Sequence, residues 1–198
     1  MSSLIYHTDA IVLDSFDVGE TDRIYAVFSK EFGLLRVSAK SIRAQASKLR
    51  GHTTLFSHSR ISFVLGRAYM RLIDAEELER RNFSGERFFA AGHMSRFLLR
   101  VIQGEERDTR VWEIVSSALR FLGTLESQKR NAYERDALLS FELLFSARLL
   151  YVLGYVGEDK KDIEKLLHAS EWDISFTDNE KTALRSLVDK GMRASHLW

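Results

Sequence analysis

The spacing of hydrophobic residues changes once along this 198-residue chain, near Glu76. Before that point apolar and polar residues alternate with a period of two, which is typical of half-buried β-strands. After it, apolar residues recur every three or four positions, which is typical of amphipathic helices. A run of strands followed by a run of helices indicates an α+β protein. We therefore expect two domains, residues 1–78 and residues 79–198.

Five alternating segments predict the strands of the first domain. Sequences rich in Gly, Asp and Lys, which favour turns, separate the first three of them, and a Gly-containing turn separates the last two. Five short antiparallel strands fit a small closed barrel, most simply an OB-fold. The predicted strands are residues 4–16, 23–29, 33–41, 60–66 and 68–75.

The second half contains helical patterns of unequal polarity. Residues 132–156 are apolar around much of the helix, so we expect this segment to be the buried centre of a helical bundle. The patterns at residues 85–104 and 108–125 have a single apolar stripe, and a fourth pattern covers residues 176–191.

Capping residues predict where two of these helices begin or end. Asp108 or Thr109 is suited to cap the second helix. Thr177 is followed three residues later by Glu180, which is the spacing of a capping box. Gly191 is a plausible glycine stop for the last helix.

Charge is distributed unevenly along the chain, although the formal net charge is only +1. Residues 1–31 contain six acids and two bases, whereas residues 32–73 contain eight bases and no acid. A local excess of positive charge creates a field that attracts polyanions. The first domain is therefore expected to bind a polyanionic partner.

The third predicted strand turns part of this charge outward. Leu35, Val37 and Ala39 share its apolar face, so Arg36 and Lys40 must point away from the core, because burying an unpaired cation is costly. A long, polar and basic loop follows the strand. The predicted phosphate-binding residues are Arg36, Lys40, Arg43, Lys48, Arg50, Arg60, Arg67 and Arg71.

Exposed aromatic rings would add base stacking to these phosphate contacts. Tyr25 shares a strand face with Arg23, and Tyr69 shares one with Arg71. Tyr25 and Tyr69 are therefore the candidate stacking residues.

Several kinds of chemistry have no support in the sequence. The chain has no cysteine, which excludes disulfides and zinc sites with thiolate ligands. It shows no phosphate-binding glycine loop, no histidine pair at metal-ligand spacing, no secretory signal and no apolar run of about 20 residues. We expect a cytoplasmic protein that is not an enzyme, has no cofactor or metal and does not contact a membrane. Glu76, Glu77 and Glu79 could imitate a nuclease metal site, but we interpret them as a solvated connector between the two halves.

Residues 8–56 resemble the opening of RecO recombination mediator proteins. The matching stretch reads TDAIVLDSFDVGETDRIYAVFSKEFGLLRVSAKSIRAQASKLRGHTTLF. It contains the family's Thr-Asp-Ala-Ile-Val-Leu strand, its Gly-Glu-x-Asp turn, its Gly-Leu-x-x-x-x-Ala-Lys strand and its Ser-Lys-Leu-Arg-Gly loop end. Residues 141–155, FELLFSARLLYVLGY, are similar to the family's central helix. Many members carry a four-cysteine zinc module after that helix, and this chain lacks it.

The resemblance implies a DNA repair and recombination mediator that binds single- and double-stranded DNA and anneals complementary strands. It also implies help in loading a recombinase onto DNA coated with single-stranded-DNA-binding protein, a RecR-like ring partner, and a bacterial, nucleoid-associated location. The helical domain of some members holds the tail of the single-strand binder, and Leu144, Arg148 and Tyr151 are the candidate pocket here. The charge pattern alone also fits an OB-fold factor for RNA or the ribosome, or an adaptor that contacts an acidic protein.

Overall fold

The computed structural model groups the chain into two compact units. The first comprises Met1–Asn82 and Ile102–Trp112, and the second comprises Phe83–Val101 and Glu113–Trp198. The domains predicted from the sequence, residues 1–78 and 79–198, differ from these units, because Ile102–Trp112 groups with the strands. The residues that the structure describes are 4–44, 47, 49, 51–66, 68–102, 104, 107–125, 132–157 and 161–195.

The first unit is a closed five-stranded barrel. Its strands are β1 (Ile5–Val18), β2 (Asp22–Ser29), β3 (Gly33–Ala39), β4 (His58–Val64) and β5 (Met70–Glu79). They follow the order β1-β2-β3-β5-β4, and β4 pairs with β1 to close the sheet. All neighbours are antiparallel except β3 and β5, which are parallel. The predicted OB-fold barrel is therefore confirmed, and closure leaves none of these five strands as an exposed edge.

Alternating side chains fill the barrel interior, as the period of two predicts. The inward face of β3 is confirmed, since Leu35, Val37 and Ala39 are each at most 1% exposed. The barrel core comprises Ala10, Val12, Tyr25, Val27, Leu35, Val37, Ala39, Ile42, Ile61, Phe63, Leu72 and Ala75.

The outer side of β2 is also buried, so β2 has two apolar faces. Ile24, Ala26 and Phe28 point away from the core and are nevertheless buried. The ring of Trp112 stacks on Phe28 with a centroid distance of 6.2 Å, and it meets the edge of His58 at 5.6 Å. This contact explains why the segment that contains Trp112 groups with the barrel.

The second unit is built around one central helix. The described helices are α1 (Glu86–Val101), α2 (Thr109–Thr124), α3 (Ala132–Val152), α4 (Lys161–His168) and α5 (Asp178–Ala194). The helix α3 packs against α1, α4 and α5, and Phe141, Leu144 and Leu149 on it are fully buried. The prediction of a central, buried helix is confirmed. In the described part of the chain, no helix combines the length and hydrophobicity that a bilayer crossing requires.

The cap residues behave largely as predicted. The Asp108 carboxylate accepts hydrogen bonds from the backbone N–H groups of Arg110 at 2.8 Å and Val111 at 3.2 Å, so Asp108 rather than Thr109 caps α2. Both hydrogen bonds of the capping box between Thr177 and Glu180 are present at the start of α5.

The predicted glycine stop at Gly191 is wrong, because α5 continues to Ala194. Gly191 is buried inside the helix. A Cβ atom at this position would lie 2.8 Å from a methyl carbon of Val156 and 2.9 Å from one of Leu150. Gly191 therefore permits close approach of neighbouring side chains rather than helix termination.

Candidate nucleic-acid interface

Two of the predicted phosphate-binding residues are exposed side by side on the outside of the barrel. Arg36 is exposed in the middle of β3, and Arg71 is exposed near the start of β5. The parallel pairing of Ser38 with Arg71 places both arginines on neighbouring strands. Within the described part of the chain, neither arginine forms an ion pair. Their charge is therefore available to a ligand.

Tyr69 lies beside these arginines and is 40% exposed. Met70, the next residue, packs against the barrel core, so its neighbours Tyr69 and Arg71 lie on the outer side. We call Arg36, Tyr69 and Arg71 the open face. Stacking of a base on Tyr69 stays a prediction.

Three other predicted phosphate-binding residues already have a carboxylate partner. The ion pairs are Lys40 with Asp22 at 2.6 Å, Arg43 with Asp17 at 3.5 Å and Arg60 with Asp9 at 3.2 Å. Residues 32–73 contain no acid, but acidic side chains still lie next to their cations in the structure, because pairing of the strands brings aspartates from β1 and β2 alongside. This corrects the assumption that separation of charge along the sequence gives the same separation on the surface.

The carboxylates of Asp17 and Asp22 are held ionised by their partners. The hydrogen bond from Arg23 is the main cause that lowers the pKa of Asp17. The hydrogen bond from Lys40 is the main cause that lowers the pKa of Asp22, and the backbone N–H of Ser41 adds to it. Both carboxyl groups therefore lose their protons more readily than an isolated aspartate does.

The prediction that Tyr25 stacks on bases is wrong, because its side chain lies inside the barrel. Tyr25 is only 2% exposed, and its hydroxyl accepts a hydrogen bond from the Thr53 hydroxyl at 2.8 Å. Alternation on β2 places Tyr25 with Val27 in the core. Arg23 has the same parity, but it lies near the strand end and reaches Asp17.

The segment between β3 and β4 is less solvated than its composition predicts. Ile42, Thr53 and Phe56 are buried, and the backbone N–H of Phe56 donates to the carbonyl of Val12 at 2.8 Å. Three predicted phosphate-binding residues lie outside the described residues and stay predictions. They are Lys48, Arg50 and Arg67.

The acidic residues that could imitate a nuclease site belong to β5 rather than to a connector. Glu77 bonds Arg80 at 2.5 Å and accepts a hydrogen bond from Thr54, while Glu79 bonds Arg81 at 2.5 Å. Across the described ranges, no group of three or more His, Asp or Glu side chains is arranged to hold a metal ion.

The predicted partner-tail pocket does not present a cation to solvent. Leu144 is fully buried, and Arg148 is only 3% exposed. The Nε of Arg148 donates to the carbonyl of Leu166 at 2.9 Å, and one terminal nitrogen donates to the carbonyl of Glu171 at 2.7 Å. The pocket prediction is therefore wrong for Arg148, since internal carbonyls occupy its donors. Tyr151 is half-buried and lies within hydrogen-bond distance of His168.

Trp172 completes this cluster and was not singled out from the sequence. The guanidinium carbon of Arg148 lies 4.4 Å from the centroid of the indole, which is a cation–π contact. The indole N–H donates to the Ser117 hydroxyl at 3.1 Å. Burial lowers the pKa of Arg148 to about 10, so the guanidinium is still charged at neutral pH.

The strand order of the barrel identifies an OB-fold protein with a helical second unit. The open face is its candidate nucleic-acid-binding surface. The family model described as "Recombination protein O N terminal" matches residues 1–80. The DNA repair protein RecO of Roseiflexus sp. (strain RS-1) is 30% identical over 158 residues, which cover 78% of this chain and 52% of the relative. The RecO of Synechococcus elongatus (strain ATCC 33912 / PCC 7942 / FACHB-805) is 35% identical over 179 residues, covering 88% and 66%. That of Gloeothece citriformis (strain PCC 7424) is 24% identical over 193 residues, covering 95% and 67%.

The chain belongs to the RecO family. It spans between 52% and 67% of the length of these three relatives.

Proposed function

We propose that this chain binds DNA through the open face of its barrel and acts in DNA repair as a recombination mediator. The observation that carries the proposal is the pair of exposed arginines Arg36 and Arg71 on adjacent strands, neither of which forms an ion pair with any described residue. Contacts to phosphates fix a nucleic acid in place without reading its sequence. A mediator that must act at any damaged site needs this kind of binding. The names of the matched relatives, DNA repair protein RecO, support the same assignment.

The open face suits a single strand because it combines charge with an aromatic surface. Arg36 and Arg71 would neutralise neighbouring phosphates, and Tyr69 would accept a base on its exposed ring. A double strand would meet the same arginines through phosphate contacts alone. The protein would therefore bind both forms, and the stacking contribution would be confined to the single strand.

The finer steps of the proposal come from the family resemblance. The chain would anneal complementary strands and assist recombinase loading on DNA coated with single-stranded-DNA-binding protein. It would work with a RecR-like ring protein and with the tail of the single-strand binder, in the bacterial cytoplasm close to the nucleoid. These roles require binding rather than catalysis. Because Arg148 is buried, we do not place the tail on Leu144 and Arg148.

The direct test replaces both open-face arginines with methionine, which keeps the aliphatic stem and removes the charge. On a single strand, each lost phosphate contact should reduce the salt slope by about 0.7 and weaken binding about fivefold near 0.1 M salt. We expect R36M/R71M to bind a fluorescent single strand about 25-fold more weakly, with a salt slope smaller by about 1.4. Strand annealing should fall in parallel.

The matched control is R60M, since Arg60 is also an exposed cation of the barrel but is already paired with Asp9. R60M should lose much less affinity than the double variant. Binding by R36M/R71M that equals wild-type binding would remove the open face from the proposal. A wild-type protein that ignores DNA at low salt, or that prefers a matched RNA strand, would overturn the DNA-binding function itself.

A further inference from the structure

The end of β3 is tied to the β1–β2 hairpin through Asp22. One carboxylate oxygen lies 2.6 Å from the Lys40 ammonium, and the other accepts the backbone N–H of Ser41 at 2.8 Å. Ser41 has a positive φ of 53°, so the chain turns sharply there. Asp22 therefore holds the Lys40 ammonium in place and also fixes the backbone path after β3.

Asp17, on the other strand of the hairpin, makes a similar contact with Arg43, three residues after Lys40. Its carboxylate bonds Arg23 at 2.7 Å and reaches Arg43 at 3.5 Å. The backbone N–H of Arg43 also donates to the carbonyl of Thr21 at 3.0 Å. The hairpin thus holds two cations of the predicted phosphate-binding set, Lys40 and Arg43, with two carboxylates.

These two carboxylates bind cations that a phosphate could otherwise contact. Lys40 comes directly after the end of β3 and four residues after Arg36, which corresponds to about 13 Å of extended chain. A nucleic-acid strand that contacts Arg36 and continues along β3 therefore arrives at Lys40 and then at Arg43. The ammonium and guanidinium groups cannot serve both a carboxylate and a phosphate with the same donors.

We propose that Asp17 and Asp22 are internal competitors of nucleic-acid phosphates, holding Lys40 and Arg43 in the free protein and releasing them when a bound strand reaches them. The inference rests on the proposed DNA-binding function. The open face binds first, because its two arginines have no ion-pair partner among the described residues that a phosphate would have to displace. Replacing one carboxylate by one phosphate changes the binding free energy little. The exchange therefore favours a ligand whose linked phosphates are already held near these cations by the open face.

The exchange has a distinct effect on salt dependence. A phosphate that meets a free cation releases its condensed counterion, which steepens the fall of affinity with salt. In this protein the displaced carboxylate takes up a counterion at the same time, so little net release accompanies the second step. Removing the carboxylate charge should therefore both tighten binding and steepen the slope.

The experiment uses the isosteric substitutions D17N and D22N, singly and together, in the full chain. An asparagine at position 22 keeps an oxygen for the Ser41 N–H while losing its charge next to Lys40. We expect D17N/D22N to bind a single-stranded oligonucleotide about tenfold more tightly at low salt, with a salt slope steeper by about 1.4. Far-ultraviolet circular dichroism checks that the barrel is intact.

D14N is the matched control for a general change in charge. Asp14 lies on the same hairpin, is exposed, and contacts only the backbone N–H of its neighbour Ser15 among the described residues. D14N removes one negative charge without freeing a cation. Its affinity should rise only slightly, and its salt slope should stay at the wild-type value.

A double-mutant cycle with K40M completes the test. If Asp22 acts by occupying Lys40, D22N should have no effect on binding once Lys40 is replaced. The inference is overturned if D17N/D22N binds no more tightly than D14N, if it binds more weakly, or if D22N alone still tightens binding in the K40M background. Any of these results would leave the loss of binding in R36M/R71M, and with it the proposed function, untouched.

Discussion

Arginines in the two units of this molecule have opposite environments. Arg36 and Arg71 extend from the barrel into solvent with no partner among the described residues, whereas Arg148 is buried in the helical unit with its donors satisfied. The same side chain is available to a ligand in one unit and is part of the interior in the other. The difference teaches that the number of cations in a segment says little about binding until the partners of each cation are known.

The helical unit can bury Arg148 because it offers carbonyl groups that lack helical partners. The carbonyl of Leu166 belongs to the last turn of α4, where no later N–H is available within the helix. The carbonyl of Glu171 lies in the irregular segment that follows. Arg148 donates to both and lies against Trp172, which offsets the cost of removing the charge from water.

The largest expected effect comes from removing the buried guanidinium. R148M should remove two hydrogen bonds that the buried cation donates, to the carbonyls of Leu166 and Glu171, at a cost of about 3 kcal/mol in the free energy of unfolding. For a chain of this size that loss lowers Tm by about 6–12 °C. Urea unfolding and thermal scans of the variant would measure it.

Arg185 provides the control, because it is an exposed residue of α5 that has neither a side-chain hydrogen bond nor an ion pair with a described residue. R185M should change stability by no more than about 0.5 kcal/mol. Equal stability of R148M and R185M would show that the interior does not depend on the Arg148 hydrogen bonds, and the contrast between the two units would lose its basis.

A smaller effect is expected at Gly191, where the interior of the helical unit is tight for a different reason. G191A adds a methyl group within 2.9 Å of Val156 and Leu150, and such overpacking costs about 1–3 kcal/mol. The higher helix propensity of alanine returns about 1 kcal/mol. We expect a net destabilisation of about 1 kcal/mol, measured by urea unfolding.

G92A tests the same substitution where space is available. At Gly92 of α1 the nearest atom to a Cβ is the end of the Arg96 side chain at 3.6 Å, which is an ordinary contact. G92A should therefore stabilise the protein by up to about 1 kcal/mol. If G191A stabilised the protein by a similar amount, Val156 and Leu150 would have to move aside at little energetic cost.

The sequence could have revealed some of the ion pairs. The β2–β3 hairpin pairs Ser29 with Gly33, and counting back along both strands places Asp22 directly opposite Lys40. The short β1–β2 turn likewise sets Asp17 opposite Arg23. Cross-strand pairs of opposite charge are favourable, so these contacts follow from register alone.

Other contacts could not be predicted because long segments separate the partners. Asp9 pairs with Arg60 across β1 and β4, which are 51 residues apart at this pair, and no turn length sets their register. Nothing local brings Arg148 to Glu171 and Trp172 either. Tyr25 was misplaced for another reason, since both faces of β2 are buried and alternation could not tell which one is the core.

The smallest expected effect on stability lies at the open face, and it is the sharpest test of the contrast. R36M and R71M remove the same group as R148M, but from side chains that are exposed and have no ion pair with any described residue. Each should change the free energy of unfolding by no more than about 0.5 kcal/mol. The same urea titration that measures R148M would measure them. If either variant unfolded as easily as R148M, the open arginines would be structural, and a loss of DNA binding in R36M/R71M could no longer be attributed to missing phosphate contacts.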